Sequence, residues 1–189
     1  MSKSNNSQIK PGVVLISEPF LGDQNFSRAV VLIVEHSEEG TVGFVLNQRT
    51  DIEVGKAVPE LASVSKVLFQ GGPVELESFH YLHGYGDVEG SVEVLPGVHW
   101  SGDFDQVQEG ISNGNYEQTN FKFIVGYSGW APGQLAAELE DKSWVVGTLE
   151  SEYILSDHTK DADLWKHAMK RAGGRNVLLA NSPDAPYLN

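Results

Sequence analysis

The sequence predicts an α+β fold, a single compact domain with a mainly antiparallel β-sheet and about three α-helices. Short apolar segments rich in β-branched residues outnumber the helical patterns, and they follow one another in runs while the helical patterns cluster late. A chain of 189 residues can bury a sizeable core as one domain. We expect a flexible segment at residues 1–10, the domain at 11–175, and an extended or disordered tail at 176–189.

The clearest predicted strand is RAVVLIVEH, Arg28–His36, because five consecutive branched apolar residues indicate burial on both faces of a sheet. SEEG and then TVGFVLN follow it, so the two apolar segments are expected to pair as a hairpin through a loop that contains Gly40. Gly12–Ile16 is the expected neighbour of this hairpin. The other predicted strands are Lys66–Phe69, Phe79–Gly84, Val92–Leu95, Phe121–Tyr127 and Ser143–Gly147.

Three segments combine helical apolar spacing with start and stop signals. The first begins after a cap at Ser101 or Asp103 and stops at Asn113-Gly114. The second is short and begins at Pro132. The third has acidic residues at its start, basic residues in its last turn, and Gly173 as its stop.

Composition argues against several functional classes. The chain has no cysteine, which excludes thiol catalysis, disulfides and cysteine-ligated zinc. Its formal net charge of −13 should repel nucleic acid, and the one basic concentration, between Lys160 and Arg175, is interpreted as a complement to a helix dipole. No apolar segment is long enough to span a membrane, and the first ten residues lack the apolar core of a signal peptide. We therefore expect a cytoplasmic protein without membrane, metal or cofactor binding.

The segment GYSGWAPGQLAAEL, Gly126–Leu139, has three alternative interpretations. GYSGW resembles the G-x-S-x-G nucleophile elbow, except that Trp130 stands where the turn requires glycine. With Pro132 at the first helical position, Gly133 and Gln134 would place free amides at a helix N-terminus, where an anion can bind. Because glycine disfavours a helix by about 1 kcal/mol relative to alanine, Gly133 also suggests that another group approaches its backbone. Alternatively, Gln134 closes a capping box and Trp130 fills the core, which makes the segment an architectural corner.

Other candidate polar groups lie outside this segment. Gly71-Gly72-Pro73 can form either an amide nest or a strand-end turn. His80 and His83 are three residues apart in a predicted strand, so their side chains should point to opposite faces and cannot share a metal. Polar residues near the N-terminus either converge as acid–base or substrate-orienting groups or make local caps and cross-strand pairs: Asp23, Arg28, Glu35, His36 and Asn47.

Several segments resemble, in order, those of the YqgE/AlgH family, also called UPF0301. They are PGVVLISEPFLGDQNFSRAVVLIVEHSEEGTVGFVLNQ, GGPV followed by FHYLH, GYSGWAPGQLAAEL, WVVG and LWKHAM, and they span about Gly12 to Gly174. The resemblance implies a compact bacterial α+β domain with no established biochemical activity, and some members carry the label of transcriptional regulator. The family usually has Glu at the position of Ala136, so the resemblance does not extend to any mechanism that needs a carboxylate there. It commonly has Ala at the position of Ser128, which weakens a hydrolase interpretation.

We expect a non-enzymatic protein that binds a partner protein or a small ligand. The candidate binding surface consists of Asp23, Arg28, Glu35, His36, Asn47, Gly71, Gly72, Pro73, His83, Trp130, Gly133 and Gln134. One alternative is a hydrolase that uses His36, Glu35 or Ser128. A second alternative is a regulator that binds DNA directly through the basic C-terminal helix.

Overall fold

The computed structural model describes residues 8–157 and 161–182. Ten strands lie within these residues: β1 Val14–Ser17, β2 Val30–Ser37, β3 Gly40–Val45, β4 Arg49–Glu53, β5 Val67–Gln70, β6 Val74–His83, β7 Val92–Leu95, β8 Val98–Trp100, β9 Phe121–Trp130 and β10 Trp144–Gly147. The same residues contain six α-helices: α1 Val54–Ala57, α2 Phe104–Ser112, α3 Gln134–Glu140, α4 Ser151–Leu155, α5 Asp161–Ala172 and α6 Asn176–Leu179.

The strands form one large sheet in the order β10-β1-β2-β3-β9-β6-β8-β7, and off this path β5 pairs with β9 while β4 pairs with β5. Every described strand pair is antiparallel except β5 with β9. The predicted α+β class and mainly antiparallel sheet are confirmed. β9 is the central strand, because its second half pairs with β3 while its first half pairs with β5 and β6. The end of β9 and the β2–β3 hairpin therefore lie side by side.

The sheet is buried on both faces around β1 and β2. Val14, Ile16, Val30 and Leu32 belong to a core cluster that contains Trp165 of α5, and we call this side the α5 face. The alternate residues Leu15, Val31 and Ile33 pack with Leu135 and Leu139 of α3, and we call this side the α3 face. All five branched residues from Val30 to Val34 are at most 3% exposed, so the predicted burial on both faces is confirmed. A third cluster packs α2 against β5, β6 and β9.

Helix α2 begins and ends where its capping signals predict. The Asp103 side chain accepts a hydrogen bond from Gln106 N at 2.7 Å, so Asp103 is the N-cap rather than Ser101. Asn113 is the C-cap, and Gly114 follows with a φ of 82°. Helix α5 ends at Ala172, and Gly173 has a φ of 71°, as its predicted stop position requires.

Some predicted boundaries were wrong. β9 continues to Trp130 instead of ending at Tyr127, and α3 begins at Gln134 instead of Pro132. β4 and β8 were missed, because β4 is a mostly exposed, polar strand and β8 has three residues. Three helices of four or five residues, α1, α4 and α6, were also missed.

The predicted terminal segments are only partly described. Ile9 is buried against the α3-face cluster, while residues 1–7 lie outside the described residues. Helix α6, Asn176–Leu179, lies within the predicted tail, so the predicted start of the tail at residue 176 is too early. Residues 183–189 lie outside the described residues.

Candidate functional site

The corner after β9 is a tight turn and not the first turn of a helix. Gln134 N donates to Ala131 O at 3.0 Å, which places Pro132 and Gly133 at the two central positions. Gly133 has φ 78° and ψ −14°, the conformation of the second central residue in a type II turn. A Cβ on Gly133 would meet no atom within 4 Å. The predicted close approach to its backbone was therefore wrong, and the turn alone explains the glycine.

One carboxylate joins the side chains of this corner. Glu138 Oε2 accepts hydrogen bonds from Trp130 Nε1 at 2.8 Å and from Trp144 Nε1 at 2.7 Å. Glu138 Oε1 accepts from Gln134 Nε2 at 2.9 Å, and Gln134 Oε1 accepts from Ala131 N at 3.0 Å. The last bond spans the turn, but it is not the capping box that the sequence predicts, because Gln134 is the first residue of α3 and Gly133 is its N-cap. These bonds favour the architectural interpretation of the corner over the anion-binding one.

Ser128 lies inside β9, where it pairs with Gly43 of β3. Its side chain is fully buried and donates a hydrogen bond to Gly71 O at 3.0 Å. A serine nucleophile must be reachable by substrate and must be activated by a neighbouring base. The geometry therefore gives no support to the nucleophile-elbow interpretation.

Gly71 and Gly72 pack directly against the backbone of β9. A Cβ on Gly71 would lie 2.5 Å from Gly126 O, and a Cβ on Gly72 would overlap Tyr127 O. Gly71 N donates to Val125 O at 2.9 Å, so this amide is used inside the sheet. The pair therefore serves close packing, and the amide-nest alternative has no support from these bonds.

Glu35 and His36 are neighbours in β2 and lie on opposite faces of the sheet. Glu35 is exposed and lines a groove on the α5 face, whereas half-buried His36 lines a cleft on the α3 face. His36 Nδ1 lies 2.7 Å from Thr41 Oγ1. Because adjacent strand residues point in opposite directions, Glu35 and His36 do not form an acid–base pair that faces one substrate.

The groove on the α5 face lies where the β2–β3 hairpin meets the end of β9. Its volume is about 430 Å³, and it is open to solvent rather than enclosed. Its lining combines the half-buried apolar side chains of Val42, Val74 and Tyr127, which we call its floor, with the exposed side chains of Glu35 and Glu39, which we call its rim. We call this site the hairpin groove, and its lining residues are Glu35, Ser37, Glu39, Gly40, Thr41, Val42, Val74, Tyr127, Gly129, Trp130 and Ala131.

Gly129 leaves the hairpin groove open. It lies in β9 opposite Val42, and it does not have a positive φ. A Cβ at this position would touch only the ring of Tyr127, at 3.4 Å from Cε2 and 3.9 Å from Cδ2. Glycine inside a strand costs roughly 0.5–1 kcal/mol relative to alanine. Neither backbone conformation nor packing requires glycine here, so its clear structural consequence is the space beside Tyr127.

A smaller cleft of about 190 Å³ lies on the α3 face of the same hairpin. It contains His36 and Gly133, and it shares Ser37, Gly40, Thr41 and Ala131 with the hairpin groove. The structure thus brings four residues of the sequence-predicted surface to one end of the sheet: Glu35, His36, Trp130 and Gly133. The GGPV segment contributes only Val74 to this region.

Three predicted surface residues near the N-terminus make local structural contacts elsewhere. Asp23 Oδ1 accepts from Asn25 N at 2.9 Å and caps a short 3₁₀ helix. Asn47 Oδ1 accepts from Val30 N, and Asn47 Nδ2 donates to Arg28 O, each at 2.9 Å. Arg28 donates a hydrogen bond to the backbone carbonyl of Ser182, after α6, at 2.8 Å. Its guanidinium lies 4.8 Å from the ring centroid of the buried Trp165. Asp23 is thus a local cap, Arg28 and Asn47 connect chain segments, and none of the three lines the hairpin groove.

His83 is a core histidine. Its Nε2 donates to Ser101 O at 2.8 Å, and its Nδ1 accepts from Tyr85 N at 3.3 Å. Burial lowers the pKa of His83, and the bond to Ser101 O opposes that shift only in part. The ring is therefore neutral near pH 7 with both nitrogens used. His80 lies on the other face, beside Tyr127 with ring centroids 6.2 Å apart, and burial lowers its pKa as well.

Sequence reasoning missed two features of the described structure. A polar cavity of about 440 Å³ lies beside α2, where Tyr116 donates to Asp87 Oδ2 at 3.0 Å and Gln106 donates to Tyr116 OH at 2.9 Å. No local motif marks it, because its residues come from two distant segments. The second feature is the fully buried Lys122, whose Nζ donates to Leu46 O at 3.2 Å. The sequence feature that could have indicated this buried lysine is its position inside the apolar segment FKFIV.

Two further observations concern ligands and membranes. Within residues 8–157 and 161–182, no group of three or more His, Asp or Glu residues could hold a metal ion. The helices in this part of the chain are too short or too polar to cross a membrane.

Comparison with known proteins gives consistent matches. A family model described as AlgH-like matches residues 14–177. A UPF0301 protein of Chlorobaculum tepidum is 38% identical over 182 residues, 96% of each chain, and one of Bacteroides thetaiotaomicron is 36% identical over 99% of this chain and 95% of its own. A Corynebacterium diphtheriae crystal structure matches with a TM-score of 0.77 at 25% identity, covering 96% of this chain and 95% of that one. The solution structure of AlgH from Pseudomonas aeruginosa matches with a TM-score of 0.70 at 26% identity, covering 97% and 98%.

Proposed function

This chain belongs to the AlgH-like family, and from this premise we propose that it acts by binding a partner protein, with the hairpin groove as the binding surface. The observation that supports the proposal is Gly129, a strand glycine that folding does not require and that leaves an apolar groove open. The groove also lies at the end of the sheet where four residues of the sequence-predicted surface lie together.

The shape of the groove favours a protein partner over a small molecule. Pockets for small ligands bury most of the ligand surface, whereas the hairpin groove is open. An open groove suits a chain segment that continues beyond it and buries selected side chains inside it. The apolar side chains of Val42, Val74 and Tyr127 supply the hydrophobic contact that such a segment needs.

The alternative functions have weaker support. The hydrolase alternative requires an accessible serine or a paired His36, and Ser128 is buried while the partner of His36 is Thr41. For DNA binding, Arg171 is already paired with Glu150 at 2.6 Å on a chain of net charge −13. A regulatory role through contact with another protein remains compatible with the proposal, and cytoplasmic location stays a prediction.

Selection of peptides from a random display library tests this proposal. Peptides of about twelve residues that the wild-type protein retains should bind the Gly129→Phe variant about tenfold more weakly or worse in fluorescence anisotropy. The added ring fills the space beside Tyr127, while strand geometry accommodates an aromatic residue. Urea unfolding of the variant should therefore show a stability close to that of the wild type.

The matched control is Gly22→Phe, which adds the same ring at an exposed glycine outside the hairpin groove, where a Cβ would meet no atom within 4 Å. Its affinity for the same peptides should stay within about twofold of wild type. Peptides that bind Gly129→Phe as tightly as the wild type would overturn the proposal, and so would a library that yields no retained peptide.

A further inference from the structure

We propose that the partner segment bound in the hairpin groove is basic, with Lys or Arg residues beside an apolar side chain that contacts the groove floor. This inference rests on the proposed binding function and specifies the chemistry of the partner.

The charge around the groove carries the inference. The exposed carboxylates of Glu35 and Glu39 lie at the rim, and the residues described as lining the groove include no Lys or Arg. Glu38 lines the adjoining cleft on the other face. The potential at this end of the sheet is therefore negative, which attracts a cationic segment and repels an acidic one.

A bulge beside the floor extends this acidic surface. Val74 of β6 pairs with Tyr127 of β9, but the next pair is Phe79 with Val125, so residues 75–78 stand opposite a single residue of β9. Glu75 and Glu77 are exposed in this bulge, and Leu76 between them is 56% exposed. Bulges often occur beside binding sites because they redirect side chains. The bulge thus presents an apolar side chain between two acidic ones next to the groove floor.

The combination of exposed carboxylates with an apolar floor argues for a peptide and against a small amine. A single amine can neutralise one carboxylate but cannot cover an apolar floor in an open groove. A peptide with alternating basic and apolar side chains can contact both Glu35 and Glu39 and the floor. Exposed ion pairs each contribute little to affinity, so the apolar contact should supply most of the binding energy and the carboxylates should supply selectivity and salt dependence.

The peptides retained by the wild-type protein test the inference. They should be enriched in Lys and Arg and should contain at least one large apolar residue, and their affinity should fall as salt is raised from about 50 to about 300 mM. A double variant, Glu35→Gln with Glu39→Gln, should weaken binding by about fivefold. The double variant Glu60→Gln with Glu93→Gln removes the same charge from exposed positions outside the groove and should change the affinity by less than about twofold.

The outcomes separate this inference from the proposed function. Peptides without an excess of Lys and Arg that still lose affinity for Gly129→Phe would overturn the basic partner and leave the groove as a binding site. Equal weakening by the two double variants would show a non-specific effect of net charge, which also contradicts the inference. Retained binding to Gly129→Phe would contradict both.

Discussion

Replacing Gly71 by alanine is expected to lower the free energy of unfolding by about 3 kcal/mol or more, because the new methyl group overpacks the sheet. Its Cβ would lie 2.5 Å from Gly126 O and 2.6 Å from the Cγ2 atom of Ile124. The first of these atoms belongs to the backbone of the central strand β9, so it cannot move without disturbing the pairing of β9 with β6. Urea unfolding followed by circular dichroism measures the change.

Gly22→Ala is the matched control for this experiment. Gly22 is exposed, a Cβ there would meet no atom within 4 Å, and its φ is not positive. We expect its free energy of unfolding to stay within about 0.5 kcal/mol of wild type. A Gly71→Ala protein as stable as the Gly22→Ala protein would contradict the packing described for β9.

Replacing Glu138 by alanine should destabilise the protein by about 3 kcal/mol, because two buried indole N–H groups lose their acceptor. Trp130 and Trp144 are each 5% exposed, and both donate to Glu138 Oε2. Glu138→Gln retains an oxygen that can accept from the indoles, so it should lose less than half as much stability in urea unfolding.

Glu109→Ala is the matched control for Glu138→Ala, because it also removes a glutamate carboxylate from inside a helix. Glu109 is exposed on α2, and its substitution should change the free energy of unfolding by no more than about 0.5 kcal/mol. If Glu138→Ala were no more destabilising than Glu109→Ala, Glu138 would not organise the corner. The bonds to Glu138 would then no longer favour the architectural interpretation of the corner over the anion-binding one.

Strong local signals predicted much of the fold. The branched run of β2, the Asp103 cap of α2 and the Gly173 stop of α5 each act through neighbouring residues, so the sequence alone reveals them. β4 escaped detection because its side chains are mostly exposed and its position depends on pairing with β5. Such pairing joins residues that are far apart in the sequence.

The candidate site was predictable only in part. The hairpin and the Trp130 corner were among the candidates that the sequence predicts, but the roles of the glycines in and around them could not be predicted. Gly133 adopts a left-handed turn conformation, Gly71 accommodates a neighbouring strand, and Gly129 meets neither requirement. The three look alike in sequence, since the difference depends on φ and on atoms from distant strands. The groove forms where β3, β9 and β6 lie side by side, and the sequence does not show that these three strands are neighbours.

Amide hydrogen exchange of the protein with and without a retained peptide shows whether the hairpin groove is the binding surface. We expect slower exchange on peptide addition in residues 35–42 and 127–131, which contain most of the lining of the hairpin groove, with little change in α3. The Gly129→Phe variant should lose this protection at the same peptide concentration. Protection confined to another region, such as the cavity formed by Tyr85, Gln106 and Tyr116, would contradict the hairpin groove as the binding surface.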